Sequence, residues 1–232
     1  MSTRWYLQSS PDTTPITPTP DSAWEDTSIL ARANTTTTPS NDAFSSQSYS
    51  DLAGTDYDQL FHQWISEELT PGQTITGLQS VKAQVRCSET SALNNQFLAL
   101  GIRILNGTTV QKTVLPVTRD DVEAATSLTN RQFTATSNSG DYTTVSGDRV
   151  VIEMGMGGNS VNHSTSMRFG DPSSGSDLAE DDTSTSDDRP WVQLNDTLTF
   201  GGGGGPSTAQ IFAAMQPPLS RSKVRDGRVL TY

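Results

Sequence analysis

The stretch Val81-Lys82-Ala83-Gln84-Val85-Arg86-Cys87 decides the fold, because apolar and polar side chains alternate through it with a period of two. A strand with one buried and one polar face has this pattern. Upstream, Ile75 and Gly77 fall in the same phase. Downstream, Leu98, Leu100, Ile102 and Ile104 repeat the alternation and lead into Asn106-Gly107. That dipeptide suits the positive φ angles of a tight hairpin turn, and Val110, Lys112 and Val114 begin the returning strand.

Working outward, Gln132 to Thr136 reads as a short strand. Ser146-Gly147-Asp148 turns into a strand in which Val150, Ile152, Met154 and Met156 share a face. Met167 and Phe169 lie on one side of another, and Trp191-Val192-Gln193-Leu194 begins the last. Between Tyr57 and Leu69 the spacing of Leu60, Phe61, Trp64 and Ile65 fits a helix face or a strand with mixed faces, and the strand is preferred. Asp120 to Ala125 is expected to form a helical turn, its two aspartates favouring a helix N-terminus. Short strands divided by Gly, Asn, Asp and Pro, without long amphipathic helices, predict an all-β protein with a single antiparallel β-sandwich. A jelly roll fits the strand count; a closed barrel or an immunoglobulin-like sandwich gives much the same string.

Only 32% of the 232 residues are hydrophobic, so the apolar material must be concentrated in part of the chain. The expected division is an extended N-terminal arm over 1–56, a sandwich over 57–200, and a Gly-rich linker with a basic tail over 201–232. Pro11, Pro15, Pro18, Pro20 and Pro39 amid repeated Thr favour extended, polyproline-like chain. Within this arm Arg4-Trp5-Tyr6-Leu7 reads as a short strand, and Trp24 stands in polar surroundings; Trp5 and Trp24 are candidate anchors onto the body or a neighbour. After the run Gly201 to Gly205, the tail holds an apolar patch around Ile211 and Phe212 and a basic end with Arg221, Lys223, Arg225 and Arg228. These are the other candidate partner-binding residues, since a basic tail on an acidic body suits an acidic surface.

The net charge of −11 argues against nucleic-acid binding, which needs a surplus of Lys and Arg. No apolar run approaches the length of a membrane span. The opening Met1 to Tyr6 lacks a secretory h-region, so the chain is expected to remain in the cytoplasm where it is made. Cys87 is the sole cysteine, and with His62 and His163 it cannot complete a zinc site.

Neither histidine sits in a catalytic context, and both read as surface residues. The abundance of carboxylates makes any glycosidase-like pair uninformative. Asp177, Glu180, Asp181, Asp182 and Asp187 could ligate calcium, but EF-hand spacing is absent; a solvated loop that receives a neighbour's basic tail is the simpler reading. Trp5, Trp24, Trp64 and Trp191, with Tyr49 and Tyr57, could stack on sugar rings, although core or interface anchoring is commoner for such residues. No catalytic residue, metal or cofactor is expected.

Several blocks occur together in order: Arg4-Trp5-Tyr6-Leu7, Trp24-Glu25-Asp26-Thr27-Ser28, Val85-Arg86-Cys87, Leu128-Thr129-Asn130-Arg131, Gly147-Asp148-Arg149-Val150-Val151-Ile152-Glu153, Met167-Arg168-Phe169-Gly170-Asp171 and Pro190-Trp191-Val192. Together they resemble a group of poorly characterised virion proteins of tailed phages and prophages, over residues 4 to 200. The resemblance implies a non-enzymatic particle component, located in the virion and assembled in the bacterial cytoplasm. Two roles are open. A capsid decoration (cement) protein would clamp the major capsid protein together with other copies of itself, a homotrimer being the natural arrangement; a tail or neck appendage would bind host-surface carbohydrate. Fold alone does not choose between them.

Overall fold

The computed structural model describes residues 2–51, 57–158, 163–172 and 175–201, without the side chains of residues 51, 57 and 163. The protein is all-β. Among the described residues the strands are β1 (Thr3–Leu7), β2 (Ala31–Thr36), β3 (Ser45–Asp51), β4 (Tyr57–Glu68), β5 (Thr74–Ile75), β6 (Ser80–Glu89), β7 (Gln96–Asn106), β8 (Thr109–Glu123), β9 (Thr129–Thr136), β10 (Tyr142–Thr143), β11 (Asp148–Gly158), β12 (His163–Phe169) and β13 (Trp191–Leu194).

They pack as two layers. In the first, β6 is the hub: β9 lies along one edge, while β13 and β12 share the other, against its first and second halves. Beyond these, β3 pairs with β12 and β1 with β13. The second layer runs β4-β11-β7-β8. The two are joined by β2, which runs parallel to β4 over Ala31–Asn34 and then crosses to pair Thr35 and Thr36 with β1. This parallel pair departs from an otherwise antiparallel pattern in the main sheets.

The interior follows from the two-residue period. Val81, Ala83, Val85 and Cys87 of β6 face Leu98, Leu100, Ile102 and Ile104 of β7 and Val150, Ile152, Met154 and Met156 of β11 in one core cluster. Trp5, Phe61, Trp64, Phe133, Met167, Phe169, Val192 and Leu194 are among its other members. The hairpin forms one residue later than the dipeptide suggests: Asn106 ends β7 paired with Thr109, and the turn is made by Gly107, at φ 59°, and Thr108. The apolar spacing on β4 arises from a bulge: Met154 pairs with His62 and Gly155 with Leu60, so Phe61 is the extra residue. Phe61 and Trp64 enter the core while Leu60 and Ile65 join separate clusters on the opposite face, which imitates a helical pattern. At this bulge a Cβ on Gly155 would lie 1.9 Å from the Gln59 carbonyl oxygen, so only glycine lets the two backbones approach.

Two expectations are corrected. Residues 120–123 continue β8 and make no helical turn; Asp120 is drawn toward the neighbouring strand by Arg131, whose Nε lies 2.7 Å from its carboxylate. The segment 1–56 is no arm either, since β1, β2 and β3 all belong to the sheet. Its Thr- and Ser-rich strands lack apolar alternation because their stability comes from backbone ladders with apolar neighbours. One compact unit extends to Gly201. It closes with an antiparallel bridge of Leu69 to Phe200, in which the Gly201 N–H donates to the Glu68 carbonyl at 2.9 Å.

Candidate functional site

The outer faces of both layers are covered by the chain itself, and these two covers hold the main polar constellations. Over the second layer runs the Pro-rich segment 9–30. Trp24 packs on Leu60 and Ala99, and Ile16 on Ile65, Leu105 and Val151. Between these apolar contacts stands Glu153, on the outward face of β11 yet with no exposed surface. Its carboxylate accepts from Arg103 Nη2, from Gln63 Nε2 at 2.6 Å, from Trp24 Nε1 at 3.1 Å and from the Asp21 N–H at 3.2 Å. Arg103 donates a further bond to the Thr19 carbonyl, and Arg32 one to that of Pro18. Thus a buried ion pair, with hydrogen bonds to both partners, fastens a segment that has no ladder of its own.

Over the first layer lies the acidic stretch after Asp171. Asp177 bridges Arg4 at 2.7 Å and Arg189 at 3.0 Å and accepts from the Tyr6 hydroxyl, whose pKa is raised by burial and by this carboxylate. Lys82 pairs with Glu180, and Asp187 pairs with both Arg86 and Arg168. Asp182 meets Arg131 at 2.8 Å. Asp181 accepts the Thr183 and Ser184 amides, which hold its carboxyl below the usual range. Beneath the loop, Leu178 packs on Tyr6 and Trp191, and the Arg4 guanidinium sits 3.8 Å over the Trp191 ring. The carboxylates expected to await calcium or a neighbour's tail are therefore largely engaged by the body's own cations. Among the described residues no group of three or more His, Cys, Asp or Glu is placed to hold a metal.

The candidate anchors Trp5 and Trp24 are both buried, at 0% and 5% exposure, and so cannot reach a partner from this conformation. Trp64 and Trp191 are equally inaccessible, which removes all four tryptophans as platforms for sugar rings. Ile211, Phe212, Arg221, Lys223, Arg225 and Arg228 lie outside the described residues. His62 corrects the surface reading: it is 1% exposed and stacked on Trp64 with ring centroids 4.4 Å apart. Neither of its ring nitrogens has a hydrogen-bond partner, and burial pushes its pKa down to about 3. The signal was its position on β4, two residues before Trp64 in a strand, masked by the bulge. The His163 side chain lies outside the described residues. Cys87 is buried, with its thiol pushed up to about 12, so it is no nucleophile at neutral pH.

Among the described residues, open clefts include three of similar size. One of about 410 Å³ lies where β2 leaves β4, between Trp5, Thr35–Thr38, Glu67 and Phe200. A second, of about 390 Å³, shares Thr35, Thr36 and Glu67 with it. The third, of about 420 Å³, separates the edges of β8 and β9 and is lined by Pro116, Asp120, Asp121 and Thr134. Hydroxyls and carboxylates both line them, but the hydroxyls of Thr35, Thr36, Ser66 and Thr118 donate to backbone carbonyls.

No family model matches this sequence, and no curated protein matches it. Among solved structures, a CocE/NonD family hydrolase from Staphylococcus aureus overlaps 87% of this chain and 34% of its own at 10% identity, with a TM-score of 0.25. The VP2 subviral particle of infectious bursal disease virus overlaps 66% of this chain and 37% of its own at 13% identity, with a TM-score of 0.24. A structure of the Gx strain of that virus gives 13% identity and a TM-score of 0.18 over 65% of this chain and 35% of its own. The chain thus spans little more than a third of the structures it overlaps, and overlaps this slight transfer neither topology nor function.

Proposed function

We propose that this chain is a structural protein of a tailed-phage virion, and specifically a capsid decoration protein that clamps major capsid subunits. The observation that carries the reading is where the resemblance-bearing blocks lie. They serve as joints of the body. Arg4-Trp5-Tyr6-Leu7 is the strand that meets both β13 and β2. In the Gly147-Asp148 block, Gly147 has φ 92° and the Asp148 carboxylate accepts from Tyr142, Val145 and Asn106. In the Phe169-Gly170-Asp171 block, Gly170 has φ 135° and Asp171 accepts the Ser40 amide. Resemblance-bearing residues whose work is to hold strands and turns together suit a protein whose product is a shell. The basic tail is the segment left for clamping, because the N-terminal segment is already consumed by the body.

Copy number tests the reading. Stained-gel densitometry of purified particles should find hundreds of copies; a few to tens would instead indicate a tail or neck appendage, and absence from particles would refute both. Removing residues 206–232 should leave a folded body that decorates shells poorly, whereas undiminished decoration would remove the tail from the account.

A further inference from the structure

The path of the main sheet ends at β3 and β8, and β9 supplies a third edge. Two of these edges are guarded. Against β7, β8 shifts register at four places, and it carries Pro116, Lys112, Arg119, Asp120 and Asp121, features that prevent strand addition. The outward amides of β9 are occupied, Asn130 donating to the Ser184 carbonyl at 2.7 Å and Gln132 to Asp182 at 2.8 Å.

No such guard protects β3. Its seven residues pair with β12 in unbroken register, from Ser45 with Phe169 to Asp51 with His163. It contains no proline, and residues 45–50 carry no charge. The direction of its free backbone groups follows from the ladder. The Thr90 amide donates to the Ser164 carbonyl, and Thr165 lies opposite Glu89, so Thr165 and Met167 turn their backbone groups away from β6 and toward β3. Tyr49 and Gln47, their partners, therefore bond to β12. The N–H and C=O groups of Ser46, Ser48 and Ser50 point the other way, and among the described residues no ladder meets them. Their side chains are exposed and small.

We propose that β3 pairs antiparallel with β3 of a second copy about a two-fold axis through Ser48. Charge restricts where two copies can meet. Four of the 15 basic residues and one of the 26 acidic residues follow Gly201, which leaves the body with 11 and 25, a net −14. Copies of such a body repel one another, and a neutral, serine-lined edge is where their backbones can approach. Antiparallel pairing of one strand with itself is self-complementary: Ser46 faces Ser50 of the second copy, and Ser48 faces its own equivalent in a hydrogen-bonded pair. The inference concerns how copies associate and does not depend on the virion reading.

The full-length chain tests it in solution. Light scattering coupled to gel filtration should give twice the 24.9 kDa chain mass at high concentration. Ser48→Pro removes an outward N–H without touching the bonds to β12, and should give a monomer with an unchanged circular dichroism spectrum. Ser48→Cys should cross-link into a disulfide dimer, since the paired Cα atoms would lie roughly 5.5 Å apart and buried Cys87 does not compete. A chain that stays monomeric, forms a trimer, or dimerises regardless of Ser48→Pro without cross-linking through Ser48→Cys overturns the proposal. Absence of the protein from particles leaves this inference standing, whereas loss of β3 pairing leaves the copy-number result standing.

Discussion

His62 and Glu89 set opposite limits on stability with pH. His62 is held neutral by burial among Trp64 and Phe169, with its pKa near 3 against 6.5 for a free imidazole. Below pH 6.5 the unfolded chain takes a proton that the folded one refuses, so stability falls as pH falls from 6.5 toward 3. At pH 5 this amounts to roughly 2 kcal/mol. Glu89 behaves inversely. It is 2% exposed, and burial, helped by nearby Glu123, pushes its carboxyl up to about 7 from 4.5. Its contribution is complete below pH 4.5 and is lost as pH rises through 7. Urea unfolding should therefore show His62→Phe with a flatter acid limb, and Glu89→Gln more stable by about 3 kcal/mol at pH 8 and little changed at pH 4. Unaltered pH slopes would show that neither side chain is buried as described. Neither feature was legible in the sequence: a histidine two residues from a tryptophan reads as surface when a bulge hides the strand's phase, and Glu89 reads as one acidic residue among many. Gly155→Ala belongs here as well, since its Cβ would strike the Gln59 carbonyl; a loss of roughly 2–3 kcal/mol is expected by thermal or urea unfolding.

Strands with alternating apolar residues were legible as elements, because β6, β7 and β11 each bury one face in the common core. The segment 9–30 was not. Its prolines do preclude a ladder, and Trp24 marked an anchor onto the body or a neighbour, but nothing in the local pattern chose the body. What holds it is remote in sequence: the Trp24 indole meets a carboxylate 129 residues away. Glu153→Gln should therefore loosen this cover specifically. It leaves the Arg103 charge buried with only Asp21, 3.8 Å away, as an anionic partner, at a cost of roughly 2–4 kcal/mol. Limited proteolysis should then cut within residues 9–30 before the strands; equal resistance in both forms would deny Glu153 its fastening role.

For the whole molecule, the acidic composition was plain in the sequence, but its internal use was not. Lys82 and Arg86 read as the wet side of an amphipathic strand, and Asp177 to Asp187 as a solvated loop; the fold lays one upon the other. Each surface pair is worth little alone, so the loop depends on their number and on Leu178 packing beneath them. Both covers together make the body self-contained, with its N-terminal third built in. Native-state hydrogen exchange on the full-length protein tests this most directly. The amides of Asp21 within the Pro-rich cover and of Asn130 and Gln132 beneath the acidic loop should exchange as slowly as those of neighbouring strands. Exchange at the rate of unstructured peptide at these three sites, with the core strands still protected, would contradict it.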